Sequence, residues 1–359
     1  ARLTHVMSNS FGFGGNHGVL IFSRPDADPA TSGPRKVQVV VNGLGVIGPG
    51  AVAAREITAP LPPGRGLVHS CGTLDVSLLN PNQRRRLSRL QQMALVAARR
   101  SHAPDESRRV TVAIGTGLGC LEDAGAFIEN LISKDEREPM PSRFPNSVHN
   151  APAGQVAIDQ NARGMNCAPT VGEITFESSL WQGLSQLATD NADDALVGAV
   201  DELDKYLLGI GQRWGVWNDQ VKPGEGAMVA SLSTAEAGRS PLARLTALRL
   251  GRWRRPFDAG HEAAWIASAV DLKTIDIVLS GARGFPQLDP LYEGIAAALS
   301  GHAGKALEHR TYKRQCGEFH AASAFGFSQA VELAREKRCG VLLLTLSLRG
   351  GKAVCCVTP

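Results

Sequence analysis

The chain has 359 residues, 43% hydrophobic and 20% charged, enough to bury a large core as one domain or as two fused halves. Its net charge of +4 excludes bulk charge as a nucleic-acid signal, and its seven cysteines, scattered without CxxC or metal-ligand spacing, exclude a disulfide framework and fit a reducing compartment. No apolar run nears the roughly 20 residues of a membrane helix, and no charged segment followed by an apolar core opens the chain, so a cytoplasmic protein without a membrane span is expected.

The chain begins without Met. Residues 5–24, HVMSNSFGFGGNHGVLIFSR, read as two strands around a turn rich in glycine at Gly12, Gly14 and Gly15. Residues 25–35 have linker composition, and a strand opening at Val37 (VQVVVNGLGVIGPG) marks a domain start. The first 24 residues therefore have the character of an end placed at a beginning. Residues 52–80 are loop-rich, with Pro60, Pro62 and Pro63. A helix is expected over 84–100, with Leu87, Leu90, Met93, Ala94 and Val96 inward. Arg84, Arg85, Arg86 and Arg89 form one basic cluster, and Arg252, Arg254 and Arg255 interleave with Trp253. Each is a solvated face or a dock for an acidic partner.

Residues 110–114 read as a buried strand running into GTGLG at 115–119, which lacks the third glycine and the acidic residue of a dinucleotide site. A helix follows at 121–133, and 144–158 is a loop entering a short helix. The chain is organised around the next stretch. Residues 167–171 form a short apolar strand that breaks at Gly172; Phe176, Leu180, Trp181, Leu184 and Leu187 then recur at helical spacing, and 195–200 is a second strand. Strand, tight turn, helix and strand make a βαβ unit whose turn faces the helix N-terminus, where the dipole stabilises negative charge. Enzymes often mount a nucleophile there. The residues on this turn are Thr175, Phe176, Glu177, Ser178 and Ser179, with no cysteine among them.

Residues 205–223 read as irregular, with Trp214 and Trp217. The run Gly224-Glu-Gly-Ala opens a strand at 228–232, followed by a polar stretch to 239 and strands or helices at 242–250, 259–270, 275–280, 291–299 and within 319–337. Strands at 340–347 and 353–357 close the chain, joined at Arg349, Gly350 and Gly351. Strands and helices alternate twice, the second half opening near Met228, which suggests a duplicated α/β architecture.

This order of segments resembles a β-ketoacyl synthase of the thiolase superfamily over residues 37–359. The resemblance is carried by the opening strand at 39–50, by FPNSVHNAPAG at 144–154, by GEGA at 224–227, and by the strand leading into 281–289. Residues 8–24 resemble the extreme C-terminus of a ketosynthase, although the chain has its own version at 347–357. What the resemblance implies is a five-layer αβαβα fold, α/β in class, with two related halves, 37–227 and 228–359, and a dimer across the central sheets. Residues 1–36 would be a ketosynthase-like tail plus linker, left by fusion to a preceding ketosynthase.

Ketosynthase chemistry needs a cysteine at the helix N-terminus and two histidines that promote decarboxylation and stabilise the carbanion. The resemblance places Glu177 at the cysteine position, Gly281 at the first histidine and Glu318 at the second, or His320 with a small register change. A carboxylate is a poor nucleophile toward a thioester, and an ionised acid there repels a malonyl carboxylate. Glu177 is then a capping acid or a charge plugging a disused pocket. The remaining thiols are Cys167, a small core residue on its strand, and Cys316, beside Glu318 and His320 and the fallback catalytic set.

Fold kept and nucleophile lost is the pattern of a chain-length factor of the aryl polyene or type II polyketide kind. Such a subunit, non-catalytic and without cofactor or metal, pairs with an active ketosynthase and shapes the tunnel for the growing chain. By analogy of position Phe144, Val148, His149 and Phe176 line that tunnel, and Arg84, Arg85, Arg86 and Arg89 engage an acidic acyl carrier protein. The alternatives are an active synthase or acyltransferase using a displaced cysteine, and a structural homodimer.

Overall fold

A computed structural model describes residues 4–11, 17–24, 37–49, 68–101, 105, 107–141, 143–218, 220–237, 240–253, 255–283 and 285–359. The glycine turn at 12–15, the linker at 25–35, Pro60, Pro62, Pro63 and Arg254 lie outside them.

In chain order the elements are β1 (His5–Phe11), β2 (His17–Ser23), β3 (Val39–Ile47), α1 (Pro81–Arg86), α2 (Arg89–Ser101), β4 (Val110–Gly115), α3 (Leu121–Ser133), α4 (Ala151–Asp159), β5 (Asn166–Cys167), α5 (Thr175–Ala188), β6 (Asp194–Asp201), α6 (Lys205–Arg213) and β7 (Gly226–Thr234). The second part holds β8 (Ala243–Arg252), α7 (Ala259–Ala267), β9 (Ile277–Ser280), α8 (Asp289–Ala303), β10 (Glu308–Thr311), α9 (Lys313–Cys316), α10 (Ala322–Lys337), β11 (Val341–Leu346) and β12 (Gly351–Thr358). Among the described residues the first two strands pair only with each other. The other ten form one sheet in the order β10-β9-β11-β12-β8-β3-β7-β6-β4-β5.

That order is the same motif written twice. In β3-β7-β6-β4-β5 the first and last strands of the unit pair antiparallel, and the three beyond run parallel to one another; β8-β12-β11-β9-β10 repeats this strand for strand. The halves join where Val39, Val40 and Val41 pair with Leu245, Arg244 and Ala243. Because β7 closes the first unit, the repeat divides after Thr234 and not at the expected 227/228. Met228 belongs to the first half: a strand's place is fixed by its hydrogen-bond partners, and those of β7 are β3 and β6.

Three apolar clusters give the layers. Helices α5 and α10 form the middle one, with Phe176 tilted against Phe327 at a ring separation of 5.1 Å and both halves of the sheet closing over them. Helices α2 and α4 cover the outer face of the first half, and α7 and α8 that of the second. Helix, sheet, helix, sheet, helix is the five-layer αβαβα arrangement. Gly43 and Gly45 show how tightly a layer can sit: a Cβ on either would lie 2.0 Å from the carbonyl oxygen of Ser101 or 1.8 Å from that of Ala97, so bare backbone is needed for α2 to lie on β3.

Three expected elements differ. The helix at 84–100 is two helices broken at Leu87 and Ser88, the first capped by Asn80. The strand at 167–171 pairs only over Asn166–Cys167, since Pro169 has no amide to donate. Residues 205–213, expected to be irregular, are helical, started by Asp204, whose side chain accepts from the amide of Leu207 at 2.7 Å.

Candidate functional site

Glu177 lies in the first turn of α5, which follows a 3-10 turn over Gly172–Ile174 entered through Gly172 at φ +62°. It is 1% exposed. One carboxylate oxygen accepts from the Thr345 hydroxyl of β11 at 2.6 Å and the other from the Ser323 hydroxyl of α10 at 2.9 Å. Burial pushes the carboxyl up to about 7, opposed by these hydrogen bonds and by the charge of Lys313. Glu177 is therefore a strut to two elements of the second half, with both oxygens occupied.

Gly281, just beyond β9, has no room for a side chain. A Cβ there would lie 2.8 Å from the Tyr292 hydroxyl, 2.9 Å from the Tyr312 hydroxyl and 3.2 Å from Cε of Lys313. Both tyrosines are fully buried, and Tyr292 is locked by accepting from the Leu346 amide at 2.8 Å. Lys313 in turn donates to both oxygens of Glu318, at 2.8 and 2.7 Å, as a buried ion pair. Burial pushes the Glu318 carboxyl up, and Lys313 counters it. Sequence reasoning did not single out Lys313; a lysine leading a four-residue helix into Gly-Glu was the available signal.

Glu173, one turn before Glu177, accepts from Ser347 at 2.6 Å. Although burial pushes its carboxyl up, that bond and the neighbouring His320 and Lys313 hold it below the usual range. His320 packs on Gly117, where a Cβ would meet its own Cβ at 2.1 Å, and His149 packs on Gly119, 3.0 Å from a Cβ there. The GTGLG run is thus a platform for both histidines. Asp201 fixes it, accepting from Thr116 Oγ1 and the Gly117 amide at 2.8 Å and from the Ala321 amide at 2.7 Å.

The thiols are poorly placed for attack. Cys316 is 2% exposed, its Sγ directed at the carbonyls of Tyr312 and Gly317, and burial pushes it up to about 12. Burial pushes Cys167 up to about 11. At neutral pH neither supplies an appreciable thiolate.

The four tunnel candidates do not converge. Phe176 is sealed in the central layer against Phe327; Phe144 is 47% exposed and tilted against Phe127; Val148 and His149 are half-buried beside Cys120 and Gly119. A groove of about 450 Å³ lies instead between β5 and the outer face of α5, lined by Asn150, Asn166, Cys167, Val171, Trp181 and Gln182 among others. Val171 is 47% and Trp181 53% exposed, and β5 ends the sheet, its outer edge unpaired among the described residues.

The basic cluster also divides. Arg89 is bound to Glu225 of the GEGA run at 2.6 and 3.2 Å and to the Gly72 carbonyl, while Glu225 also accepts from Ser70, the Cys71 amide and the Leu203 amide. Arg89 is a structural cation, with its acid buried, and is spent before any partner arrives. Arg84 donates to the Leu79 carbonyl; Arg85 and Arg86 are exposed. Among the described residues, no helix is long and apolar enough to cross a membrane.

Residues 62–206 match the family model of the β-ketoacyl synthase N-terminal domain. A curated relative, 3-oxoacyl-[acyl-carrier-protein] synthase 2 of Staphylococcus aureus, is 27% identical over 130 residues, 34% of this chain and 32% of that protein. Its namesake in Vibrio cholerae is 28% identical over 103 residues, 29% of this chain and 25% of that protein. The matches span about a third of the length of the first and a quarter of the second. Among solved structures, a β-ketoacyl synthase from Burkholderia phymatum superposes with a TM-score of 0.75 at 15% identity, covering 90% of this chain and 99% of that one. The ishigamide ketosynthase/chain length factor gives 0.72 at 19% identity, covering 89% and 99%. A type II polyketide synthase acyl-carrier protein in complex with its ketosynthase gives 0.72 at 15% identity, covering 90% and 99%. At these identities the likeness is one of fold.

Proposed function

We propose that this β-ketoacyl synthase-like chain is a non-catalytic chain-length factor, which pairs with an active ketosynthase in the cytoplasm and shapes the channel for a growing polyketide, polyene or fatty acyl chain. The observation that carries the reading is Glu177, held by Thr345 and Ser323 where the reaction needs a thiolate. Decarboxylative condensation requires an acyl thioester on the enzyme and two imidazoles facing a carbanion. Here the first position is a buried acid, the second is a glycine with no room, and the third is a carboxyl neutralised by Lys313. Those three features support a bystander in chemistry that keeps its scaffold.

Its contribution is then surface and shape. The free edge of β5, with Val171 and Trp181 beside the groove, is the seat for the ketosynthase partner, and the partner's wall would close the groove into a channel. The hairpin of β1 and β2 has the antiparallel form of β11 and β12, in keeping with the reading of residues 8–24 as a ketosynthase-like tail. Exposed Arg85 and Arg86 offer charge to an acidic acyl carrier protein.

The test is co-expression with a ketosynthase from the same source, size-exclusion chromatography, and an elongation assay with and without this chain. A stable heterodimer whose product length depends on this chain is expected. Incubation of the chain alone with a radiolabelled acyl-carrier thioester is expected to leave no acid-stable adduct; an adduct on Cys316 or Cys167 would instead establish a synthase or acyltransferase with a displaced nucleophile.

A further inference from the structure

The ten-stranded sheet is complete without the first two strands of the chain. Each five-strand unit closes on an antiparallel pair, β6 with β7 and β11 with β12, and every place is filled from β3 onward. The hairpin of β1 and β2 is therefore a surplus pair. Its sequence follows that of the pair closing the second unit. In both, a serine and an apolar residue (Ser10-Phe11, Ser347-Leu348) lead to two glycines (Gly14-Gly15, Gly350-Gly351), a polar residue (Asn16, Lys352) and an apolar run (19–22, 353–357). Within the sheet that closing pair is buried on both faces. Leu342, Leu344 and Cys356 belong to the outer cluster, and Leu343, Cys355 and Val357 to the central one. The surplus pair presents apolar residues on both faces as well. Val6 pairs with Phe22 and shares a face with it, and Met7, the next residue, lies on the opposite one. Val6 is 48% exposed, Phe22 62% and Met7 61%. A two-stranded hairpin is marginal in water by itself, and apolar residues on both faces suit a strand pair enclosed from both sides.

We propose that the β1–β2 hairpin is donated to a ketosynthase partner, whose sheet it completes in the place that β11 and β12 hold in this one. The hairpin is then a joint between two bodies of the same build; the identity of the partner rests on the chain-length reading. The length of chain between hairpin and sheet fits this arrangement. Residues 25–36 can span about 40 Å at most, whereas the β5 edge proposed to seat the partner is four strands from β3, about 19 Å across the sheet. Both contacts can form at once, so binding at one raises the effective concentration at the other. The partner's own chain is expected to lack a closing strand pair.

The test is size-exclusion and calorimetric titration of the full chain with a ketosynthase from the same source, in four forms: parent, Val6→Asp with Phe22→Asp, Met7→Asp, and Trp181→Asp. Insertion buries both faces, so the paired change and Met7→Asp should each weaken the complex at least tenfold, while the melting temperature of the isolated chain stays unchanged. The amides of 5–11 and 17–23 should gain hydrogen-exchange protection only in the complex. A hairpin that merely lies on a surface responds on one face alone, and that result would overturn the proposal. A complex indifferent to the hairpin changes but broken by Trp181→Asp would overturn it too, and leave the pairing with a ketosynthase standing. Hairpin-dependent binding with no effect on product length would keep the hairpin assignment and remove the chain-length one. A parent chain that dimerises with itself through Val6 and Phe22 would give the hairpin to a second copy and end the proposal. Absence of any complex would end both readings.

Discussion

Thr345 donates its hydroxyl proton to Glu177 at 2.6 Å, joining the start of α5 to the C-terminal end of β11. This bond and that from Ser323 are too few to hold a fully buried charge at no cost, and burial pushes the carboxyl up to about 7. The folded chain therefore binds a proton more tightly than the unfolded chain does. Its contribution to stability is complete below the unfolded value, near 4.5, and is lost as pH rises through about 7. Glu177→Gln, which keeps the shape without the ionisation, should match the parent near pH 5 and exceed it at pH 8 by on the order of 2–3 kcal/mol. Urea titrations at the two pH values check this. A parent that gains on the variant as pH rises would show that the carboxylate is stabilised ionised, and the plugged-pocket reading would fail.

Crowding fixes the residue at position 281. A methyl group at 281 meets two buried tyrosine hydroxyls inside 3 Å, that of Tyr292 held by the Leu346 amide. Gly281→Ala should cost roughly 1–3 kcal/mol by overpacking, and Gly281→His should not fold. Thermal melts of the alanine variant and of Gly281→Ala with Tyr312→Phe, which removes one of the clashing oxygens, test the cause. The double variant should recover part of the loss.

How much of this was legible beforehand depended on the range of the interaction. Glu177 could be placed because the strand, glycine break and apolar spacing of α5 are all within some twenty residues of it. Crowding at Gly281 could not, because Tyr292 and Tyr312 enter from separate elements and neither is marked by a pattern. Helix α6 was hidden by Gly209 and Gly211, which lower helix propensity, while its cap at Asp204 is one short residue. The halves were divided too early for a related reason: β7 reads as the start of a new alternation, and only its pairing with β3 and β6 shows that it ends the old one.

Arg89 makes the same point with a measurable consequence. Nothing local separates it from Arg84, Arg85 and Arg86, since its acid lies 136 residues away. Arg89→Ala leaves Glu225, 1% exposed, without its counter-charge and should cost about 3 kcal/mol. Arg85→Glu with Arg86→Glu should change stability by less than about 0.5 kcal/mol, being at the surface, yet weaken binding of an acyl carrier protein severalfold at low salt. Melting temperatures and surface plasmon resonance separate the two effects. If Arg89→Ala melts with the parent, the ion pair is ornamental; if the double charge reversal leaves carrier affinity intact, the carrier docks elsewhere.

The last prediction follows from the free edge of the sheet. Strand β5 is two residues long and ends the ten-stranded order, and the apolar surface beside it is concentrated in Val171 and Trp181, each about half exposed. Short edge strands resist promiscuous pairing, so a specific partner here must be recognised by side chains as much as by backbone. Both side chains already face water, so Val171→Asp and Trp181→Asp should leave the melting temperature of the isolated chain nearly unchanged. Trp181→Asp places a charge in the middle of any apolar contact formed there and should reduce co-purification with the ketosynthase at least tenfold, Val171→Asp somewhat less. Undiminished co-purification of both variants, with elongation unchanged, would move the partner to another face and separate the groove from the product channel.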